Sequence, residues 1–296
     1  MNPSADPALP PRGEFSEQGY LRLHGDVAAA VEAGVVGSAW QHFVLHGHHE
    51  GRAWVRQADP MIGVSREIAP GDDMFLGNAD HYFDVGASAL HCIKAAIAAA
   101  DRDPASIRTI LDLPCGHGRV TRFLRKAFPA ARLTACDLQA EGVAFCARTF
   151  GAEPVVSAKA VADIPLQGPF DLIWCGSLLT HLREEACLDF LRFFRGLLAP
   201  DGVLVVTVHG RATEAELANG RSRADLDPAS VSRLLAECRA RGFAYVDYAG
   251  QSDYGFSLVR RDYLTGHLLS AAGLRLVDYQ EKSWDFRQDV LALRRG

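Results

Sequence analysis

The sequence predicts an α/β fold with a doubly wound, mostly parallel sheet, and two observations carry this prediction. Between residues 108 and 208, apolar segments of strand length alternate with segments whose apolar residues recur at helical spacing. The connections between these segments are short, a pattern typical of parallel strands that helices cover on both faces. Hydrophobic residues make up 48% of the 296 residues and charged residues 23%, which is ordinary for a globular protein.

The individual elements follow from the same periodicities. A helix at 88–100 is predicted to precede the sheet. Just before it, Asp84, Gly86 and Ser88 either contact a bound ligand or form a turn with Ser88 as the N-cap. The repeating part predicts strands at 108–113, 132–137, 155–156, 170–175 and 203–208, with helices at 119–128, 139–150 and 184–198. The rest predicts a polar stretch at 211–216, a helix at 228–241, a hairpin at 243–248 and 250–259, a helix at 261–272, and strands at 273–279 and 288–293.

A glycine turn follows the first strand. Asp112 ends the strand, and Gly116 and Gly118 come just before the next amphipathic segment. Glycine lets the backbone approach a ligand closely and adopt positive φ, and the helix after the turn presents free N–H groups to the same space. The turn is therefore predicted to hold the polar part of a cofactor.

The spacing of the turn argues against a dinucleotide. That pattern requires Gly-x-Gly-x-x-Gly, but Thr121 stands at the third glycine position. The sequence from Asp112 to Gly118, Asp-x-x-x-Gly-x-Gly, instead resembles the first motif of the class I S-adenosylmethionine-dependent methyltransferases. The resemblance covers about residues 80–296. It implies a seven-stranded Rossmann-like sheet whose last strand is antiparallel beside the fifth, and S-adenosylmethionine as the cofactor.

Further cofactor residues occur later in the chain. Asp137 ends the second strand, where a carboxylate can accept hydrogen bonds from ribose hydroxyls, and Leu138 beside it can line the adenine. The resemblance implies that Asp163 and Ile164 contact the adenine, although Asp163 also suits a turn. Pro114 is expected to stiffen the turn without abolishing binding. The predicted cofactor-binding set is Asp112, Pro114, Cys115, Gly116, Gly118, Asp137, Leu138, Asp163, Ile164 and Cys175.

The segment from about 210 to 260 departs from the repeating pattern and is predicted to be an acceptor-binding insertion, because loops near the chemistry set specificity. Arg211, Asp253 and Tyr254 are its candidate substrate-binding residues, with Arg260 in the same pool. For Tyr254 a purely structural hairpin is the alternative.

Two histidines are candidate general bases, which an oxygen acceptor usually requires. They are His209, after the fifth strand, and His181, after the fourth; for His181 the alternative is a histidine that fixes its loop. No metal site is predicted. His42 and His46 have ligand spacing on a helix, but a packed or solvated helix end is the favoured interpretation.

The domain organisation is predicted as a disordered tail at 1–14, a small helical module at 15–59, a linker at 60–80 and a methyltransferase domain at 81–296. The pattern around Tyr20, Asp26 and Trp40 resembles a helical module that recurs in bacterial proteins beside glycan-modifying and surface-associated domains, although Gly25 replaces the usual proline. This resemblance implies a protein partner for the module.

Composition and net charge narrow the classes of partner and the cellular compartment. The net charge of −5 argues against nucleic acid, and the sequence contains no apolar run of the ~18 residues that a membrane span needs. Seven scattered cysteines without a C-x-x-C pair indicate reduced thiols and a cytoplasmic protein.

The prediction is a methyltransferase acting on a small-molecule or glycan acceptor, at oxygen. The alternatives are a non-catalytic S-adenosylmethionine-fold binding or scaffold protein, and an NAD(P)-dependent oxidoreductase, which the missing third glycine disfavours.

Overall fold

The structure is a computed structural model that describes residues 9–10, 12–55, 61, 63–222 and 224–296. The chain divides into two compact units, Met1–Gly63 and Val64–Gly296. Most of the predicted tail, and residues 60 and 62 of the predicted linker, lie outside the described residues. Within the described part, no helix is both long enough and apolar enough to cross a membrane.

The first unit is helical. Its helices are α1 (Glu17–Leu23), α2 (Gly25–Glu32) and α3 (Ala39–His42), and α3 continues into a π-helical turn, Phe43–Gly47. Ser16 caps α1 by accepting a hydrogen bond from the Gly19 N–H at 3.0 Å. Phe15, Tyr20 and Phe43 form a small aromatic core, and His42 Nδ1 lies 3.2 Å from the Tyr20 hydroxyl. His42 is therefore a packed histidine.

The second unit is built on a seven-stranded sheet. The strands along the chain are β1 (Thr109–Asp112), β2 (Arg132–Asp137), β3 (Glu153–Val156), β4 (Phe170–Cys175), β5 (Leu198–Val208), β6 (Phe243–Asp247), β7 (Gly255–Val259), β8 (Leu274–Trp284) and β9 (Gln288–Arg295). The sheet order is β3-β2-β1-β4-β5-β9-β8, and β6 and β7 pair separately. Strands β1 to β5 are parallel, and β9 is antiparallel between β5 and β8. The predicted fold class is confirmed.

Helices flank this sheet. They are α4 (Ala79–Ala99), α5 (Thr121–Ala127), α6 (Ala140–Phe150), α7 (Glu184–Leu197), α8 (Arg211–Ala218), α9 (Pro228–Arg241), α10 (Arg261–Tyr263) and α11 (Ser270–Ala272), with a π-helical segment, Leu264–Leu269, before α11. Alternating residues of the central strands, such as Leu111, Ile173 and Leu204, are fully buried in the main core. Burial on both faces explains why the sequences of these strands are continuous apolar runs.

The start of α4 was predicted wrongly. The helix begins nine residues before Ser88, at Ala79, and Asn78 is its N-cap, accepting from the His81 N–H at 3.1 Å. Gly86 lies inside this helix. A Cβ there would be 2.4 Å from the carbonyl oxygen of Arg119. Close packing, rather than a helix end, is the reason for this glycine.

Part of the predicted linker also differs from expectation. Residues from Val64 onward belong to the second unit, where Val64 and Ala69 are buried. The Arg122 guanidinium donates to the carbonyl oxygens of Ser65 and Glu67 at 2.9 and 2.8 Å. These bonds hold the segment that precedes α4 against α5.

Two further differences concern strand β5 and the segment after it. The predicted polar stretch at 211–216 is helical, as part of α8. Strand β5 begins at Leu198, which pairs with Phe170, whereas Val203 pairs with Leu172. Residues 200–202, which precede the predicted strand at 203–208, therefore form a bulge within β5.

Gly142 in α6 packs directly on the glycine turn, since a Cβ there would lie 2.4 Å from the Gly116 carbonyl oxygen. We expect Gly142→Ala to lower the free energy of unfolding by about 1–3 kcal/mol, the usual cost of overpacking. Gly196→Ala is the matched control, because a Cβ on this other helical glycine meets nothing within 4 Å. Denaturant unfolding of both variants measures the difference, and equal stabilities would contradict the close packing.

Candidate cofactor and acceptor site

The candidate residues gather at the edge where the parallel strands end. Asp112 ends β1, Asp137 ends β2, Cys175 ends β4 and His209 follows β5. The register places Asp112 beside Ala135 of β2 and Trp174 of β4. Open α/β sheets bind their ligands outside the carboxyl ends of the strands, so this edge is the candidate site.

The two glycines of the turn have different roles. Both have positive φ, +52° at Gly116 and +82° at Gly118. A Cβ on Gly116 would meet no atom within 4 Å, whereas a Cβ on Gly118 would lie 2.3 Å from the ring of Phe150. Gly118 is thus required for packing, and Gly116 keeps the turn open towards a ligand.

Asp137 joins the end of β2 to the glycine turn. One carboxylate oxygen accepts from the Gly116 N–H at 2.7 Å and the other from the Gln139 N–H at 2.9 Å. Each oxygen retains a lone pair for a further donor, such as a ribose hydroxyl. Leu138, beside it, is 57% exposed and offers an apolar surface, and Ile164 is buried next to the exposed Asp163.

Asp112 is fully buried, and only one of its two carboxylate oxygens has a hydrogen-bond partner among the described residues. Its Oδ2 accepts from the Thr121 hydroxyl at 2.6 Å, but its Oδ1 has no hydrogen-bond partner among the described residues. Burial raises the pKa of Asp112 to about 7. An unpaired buried acceptor is costly, and the ammonium of a cofactor's amino-acid end would satisfy it.

These features fit S-adenosylmethionine. The orphaned acceptor of Asp112 suits its ammonium group, the open face of Gly116 allows close approach, and Asp137 with Leu138 suits a ribose and a base. The donor and acceptor set therefore matches the cofactor that the sequence predicts.

The two cysteines of the predicted cofactor set lie in the interior. Cys175 is fully buried in the main core with Cys187, and burial raises the pKa of its thiol well above the usual value. Cys115 is 5% exposed. The Cys175 side chain is packed in the core, so a contact of this residue with the cofactor would have to come from its backbone at the end of β4.

His181 is the better placed of the two candidate bases. Its Nδ1 lies 2.9 Å from the Gly255 carbonyl oxygen, which can only accept, so Nδ1 carries the proton. Its Nε2 is then the basic nitrogen, 3.4 Å from the Ser177 hydroxyl. The ring stacks on Tyr254 with centroids 4.8 Å apart, and burial lowers the pKa of His181.

His209 is better explained by packing. Its ring stacks on Phe256 at 4.1 Å between centroids, and its Nδ1 donates to the Ser257 carbonyl oxygen at 3.2 Å. Burial, with a smaller contribution from His181, lowers the pKa of His209 to about 3. A base this weak removes few protons at neutral pH.

Sequence reasoning missed Gln288 and Tyr248 at this site. Gln288 accepts from the Thr207 hydroxyl at 2.6 Å and donates to the Ser177 hydroxyl at 2.9 Å. The Tyr248 hydroxyl lies 3.3 Å from His181 Nδ1. The antiparallel insertion of β9 beside β5 delivers Gln288, and only the folded hairpin brings Tyr248 near, so no local pattern assigned either residue to the site.

The predicted substrate-binding residues separate in the structure. Tyr254 joins His181, but Arg211 is exposed and pairs with Glu281 at 2.8 Å. Asp253 is also exposed and pairs with Arg183 at 3.2 Å. Arg260 of the same pool pairs with Asp262 at 2.6 Å. These three charged side chains are held in surface ion pairs.

Comparison with known proteins bears on the domain. Residues 111–204 match the family model described as a methyltransferase domain. This segment is similar to a methyltransferase domain. The match includes the glycine turn, Asp137 and the end of β4, the elements on which the cofactor prediction rests.

Curated proteins are similar to this chain over part of their length. A trans-aconitate 2-methyltransferase of Streptomyces avermitilis is 34% identical over 142 residues, covering 46% of this chain and 49% of that protein. A malonyl-[acyl-carrier protein] O-methyltransferase of Bacillus cereus is 28% identical over 139 residues, covering 47% of this chain and 51% of that protein. The chain thus spans about half the length of these relatives.

A solved structure agrees on the fold. DesVI of Streptomyces venezuelae superposes with a TM-score of 0.52 at 15% identity, covering 78% of this chain and all of that one (100%). At this identity the likeness concerns the fold alone.

The unusual pKa of Asp112 gives a prediction. The folded value is about 7 against an ordinary value of 3.8, so this group's contribution to stability is present at low pH and is lost as pH rises from 3.8 to 7. Asp112→Asn removes this dependence. The free energy of unfolding of the wild type, relative to the variant, should fall by on the order of 4 kcal/mol between pH 4 and pH 8. Parallel stability profiles in denaturant titrations would contradict the buried, ionisable carboxyl.

Proposed function

We propose that the chain is an S-adenosylmethionine-dependent methyltransferase that methylates an oxygen of a small-molecule or glycan acceptor. The observation that carries this proposal is the neutral His181, whose Nε2 lies at the ligand edge beside Ser177. When bound, S-adenosylmethionine supplies a methyl group on a sulfonium, which is a strong methyl donor.

The chain's own residues would then bind the cofactor, align the acceptor with it and deprotonate the acceptor. Asp112, Gly116 and Asp137 hold the cofactor, and the end of β4 brings the acceptor into line with it, since orientation can supply much of the rate enhancement. His181 Nε2 takes the proton of an acceptor hydroxyl. The O-methyltransferase name of one relative supports oxygen as the acceptor atom.

The insertion after β5 is proposed to cover the acceptor. It has a small core of its own, which includes Leu234, Val246 and Leu258, so the β6–β7 hairpin is a stable element. The hairpin brings Tyr254 and Tyr248 against His181, with ring centroids 4.8 and 5.9 Å away. Aromatic rings with hydroxyl groups suit a polar ring such as a sugar.

The first unit is proposed to bind a protein partner, as its helical resemblance implies.

A non-catalytic scaffold remains the rival function of the whole chain. Release of S-adenosylhomocysteine in the presence of a panel of hydroxyl and carboxylate acceptors tests the proposal. Cofactor binding without turnover on any member of a broad panel would favour the scaffold.

Asp137 gives a direct test of cofactor binding. Asp137→Ala should weaken S-adenosylmethionine binding by ~1.5–3 kcal/mol, the scale of a lost charge-assisted hydrogen bond. Asp189→Ala, an exposed aspartate on α7, is the control. Isothermal titration measures both affinities, and an unchanged value for a folded Asp137→Ala protein would remove Asp137 from the ribose role.

His181 gives a test of the chemistry, once the panel has identified a hydroxyl acceptor. His181→Gln should lower kcat by about 100-fold or more, because a positioned base contributes 10²–10⁴-fold, and should leave cofactor affinity unchanged. His267→Gln, on an exposed histidine, is the control. Since burial lowers the pKa of His181, wild-type kcat should stay constant from pH 8 to below pH 6.5. Wild-type turnover by His181→Gln would exclude this base.

A further inference from the structure

Arg119 is an unpaired cation beside the glycine turn. It follows Gly118 directly and is only partly exposed. Its guanidinium lies 5.9 Å from the centre of the Trp284 ring, and its side chain makes no hydrogen bond or ion pair with any residue that the structure describes. A cation in such a setting loses hydration without a compensating hydrogen bond or ion pair.

Arg122, one turn further along the chain, shows the contrast. It is 2% exposed, and its guanidinium donates four hydrogen bonds: to the carbonyl oxygens of Gly118, Ser65 and Glu67 and to the Tyr82 hydroxyl. Arg122 therefore has a complete structural role. The neighbouring Arg119 has the same donors and leaves all of them free within the described chain.

The Trp284 ring, next to the Arg119 guanidinium, is held in place by its own contacts. Trp284 donates its indole N–H to the Val85 carbonyl oxygen at 3.0 Å and packs edge-on against Trp174 at 5.2 Å. A Cβ on Gly176, just after β4, would lie 2.8 Å from the Trp284 ring. The guanidinium thus lies among the glycine turn, α4 and the end of β4.

The nearby charges do not neutralise Arg119. Burial lowers the pKa of Arg119, and the more distant Tyr82, Asp285 and Asp72 only partly oppose this effect. No carboxylate oxygen of the described residues lies within 4.0 Å of the Arg119 guanidinium, the limit for an ion pair. The described chain therefore supplies no anion to the Arg119 guanidinium.

We infer that Arg119 binds a carboxylate beside the glycine turn through its free guanidinium, an inference that rests on the proposed function. A planar guanidinium suits a carboxylate because it can donate two parallel hydrogen bonds. Two sources present this chemistry, namely the methionine end of the cofactor and a carboxylate on the acceptor.

One observation favours the cofactor. Asp112, at the other end of the same turn, has a buried acceptor without a partner, and Arg119 has donors without partners. An amino-acid end carries one ammonium and one carboxylate, which would satisfy both residues together.

Calorimetric titration of the full chain tests the cofactor source. The probes are S-adenosylhomocysteine and S-adenosyl-3-thiopropylamine, the same thioether without its carboxylate. Arg119→Met should weaken S-adenosylhomocysteine binding at least 10-fold and leave the amine unchanged, and Arg119→Lys should fall between. Arg132→Met is the control, because Arg132 pairs with Glu153 at the opposite end of β2. Circular dichroism melting verifies that each variant is folded.

A second arm tests the acceptor source. If Arg119→Met leaves S-adenosylhomocysteine affinity unchanged, trans-aconitate and malonate are titrated into the wild type and the variant, each saturated with S-adenosylhomocysteine. Carboxylate binding that weakens at least 10-fold in the variant assigns Arg119 to the acceptor. Absence of any Arg119-dependent binding in both arms overturns the inference. If the wild type does not bind S-adenosylhomocysteine at all, the proposed function fails, and carboxylate titration of the free protein alone decides the inference.

Discussion

The hydrogen bond from the Gly116 N–H to the Asp137 carboxylate, 2.7 Å long, connects the parts on which the site depends. It fixes the glycine turn after β1 to the end of β2, while Gly142 lets α6 press on the same turn. The backbone of Gly116 is therefore held from one side and leaves an open surface on the other, where a Cβ would meet no atom within 4 Å. The same carboxylate thus shapes the pocket and retains capacity for a ligand.

The rest of the second unit places chemistry around that surface. Parallel pairing brings the ends of β1, β2, β4 and β5 to one edge, and the antiparallel β9 adds Gln288 to the polar network of Ser177. The hairpin after β5 closes over His181 with Tyr254. Polar groups without partners, at Asp112 and Arg119, lie at the two ends of the glycine turn, where a zwitterion would be held.

Much of the fold was predictable because its signals are local. Strands β2 and β4 and helix α9 begin and end within one residue of the sequence-based bounds, since a buried parallel strand is continuously apolar and Asp227-Pro228 marks a helix start. The errors arose where packing overrides the local signal. Gly86 was placed before the helix, although it lies within α4 and is needed for contact with Arg119.

The sequence by itself determined the glycine turn, the acids that end β1 and β2, and hence the family resemblance, because backbone conformation and strand-end position depend on residues close in the chain. Only the tertiary structure decided which side chains reach the pocket. It buried Cys175, paired Arg211 with Glu281, gave His181 rather than His209 a basic nitrogen, and left Arg119 without a partner. Side-chain partners are set by contacts between residues far apart in sequence, and a single sequence does not encode those distances in any local pattern.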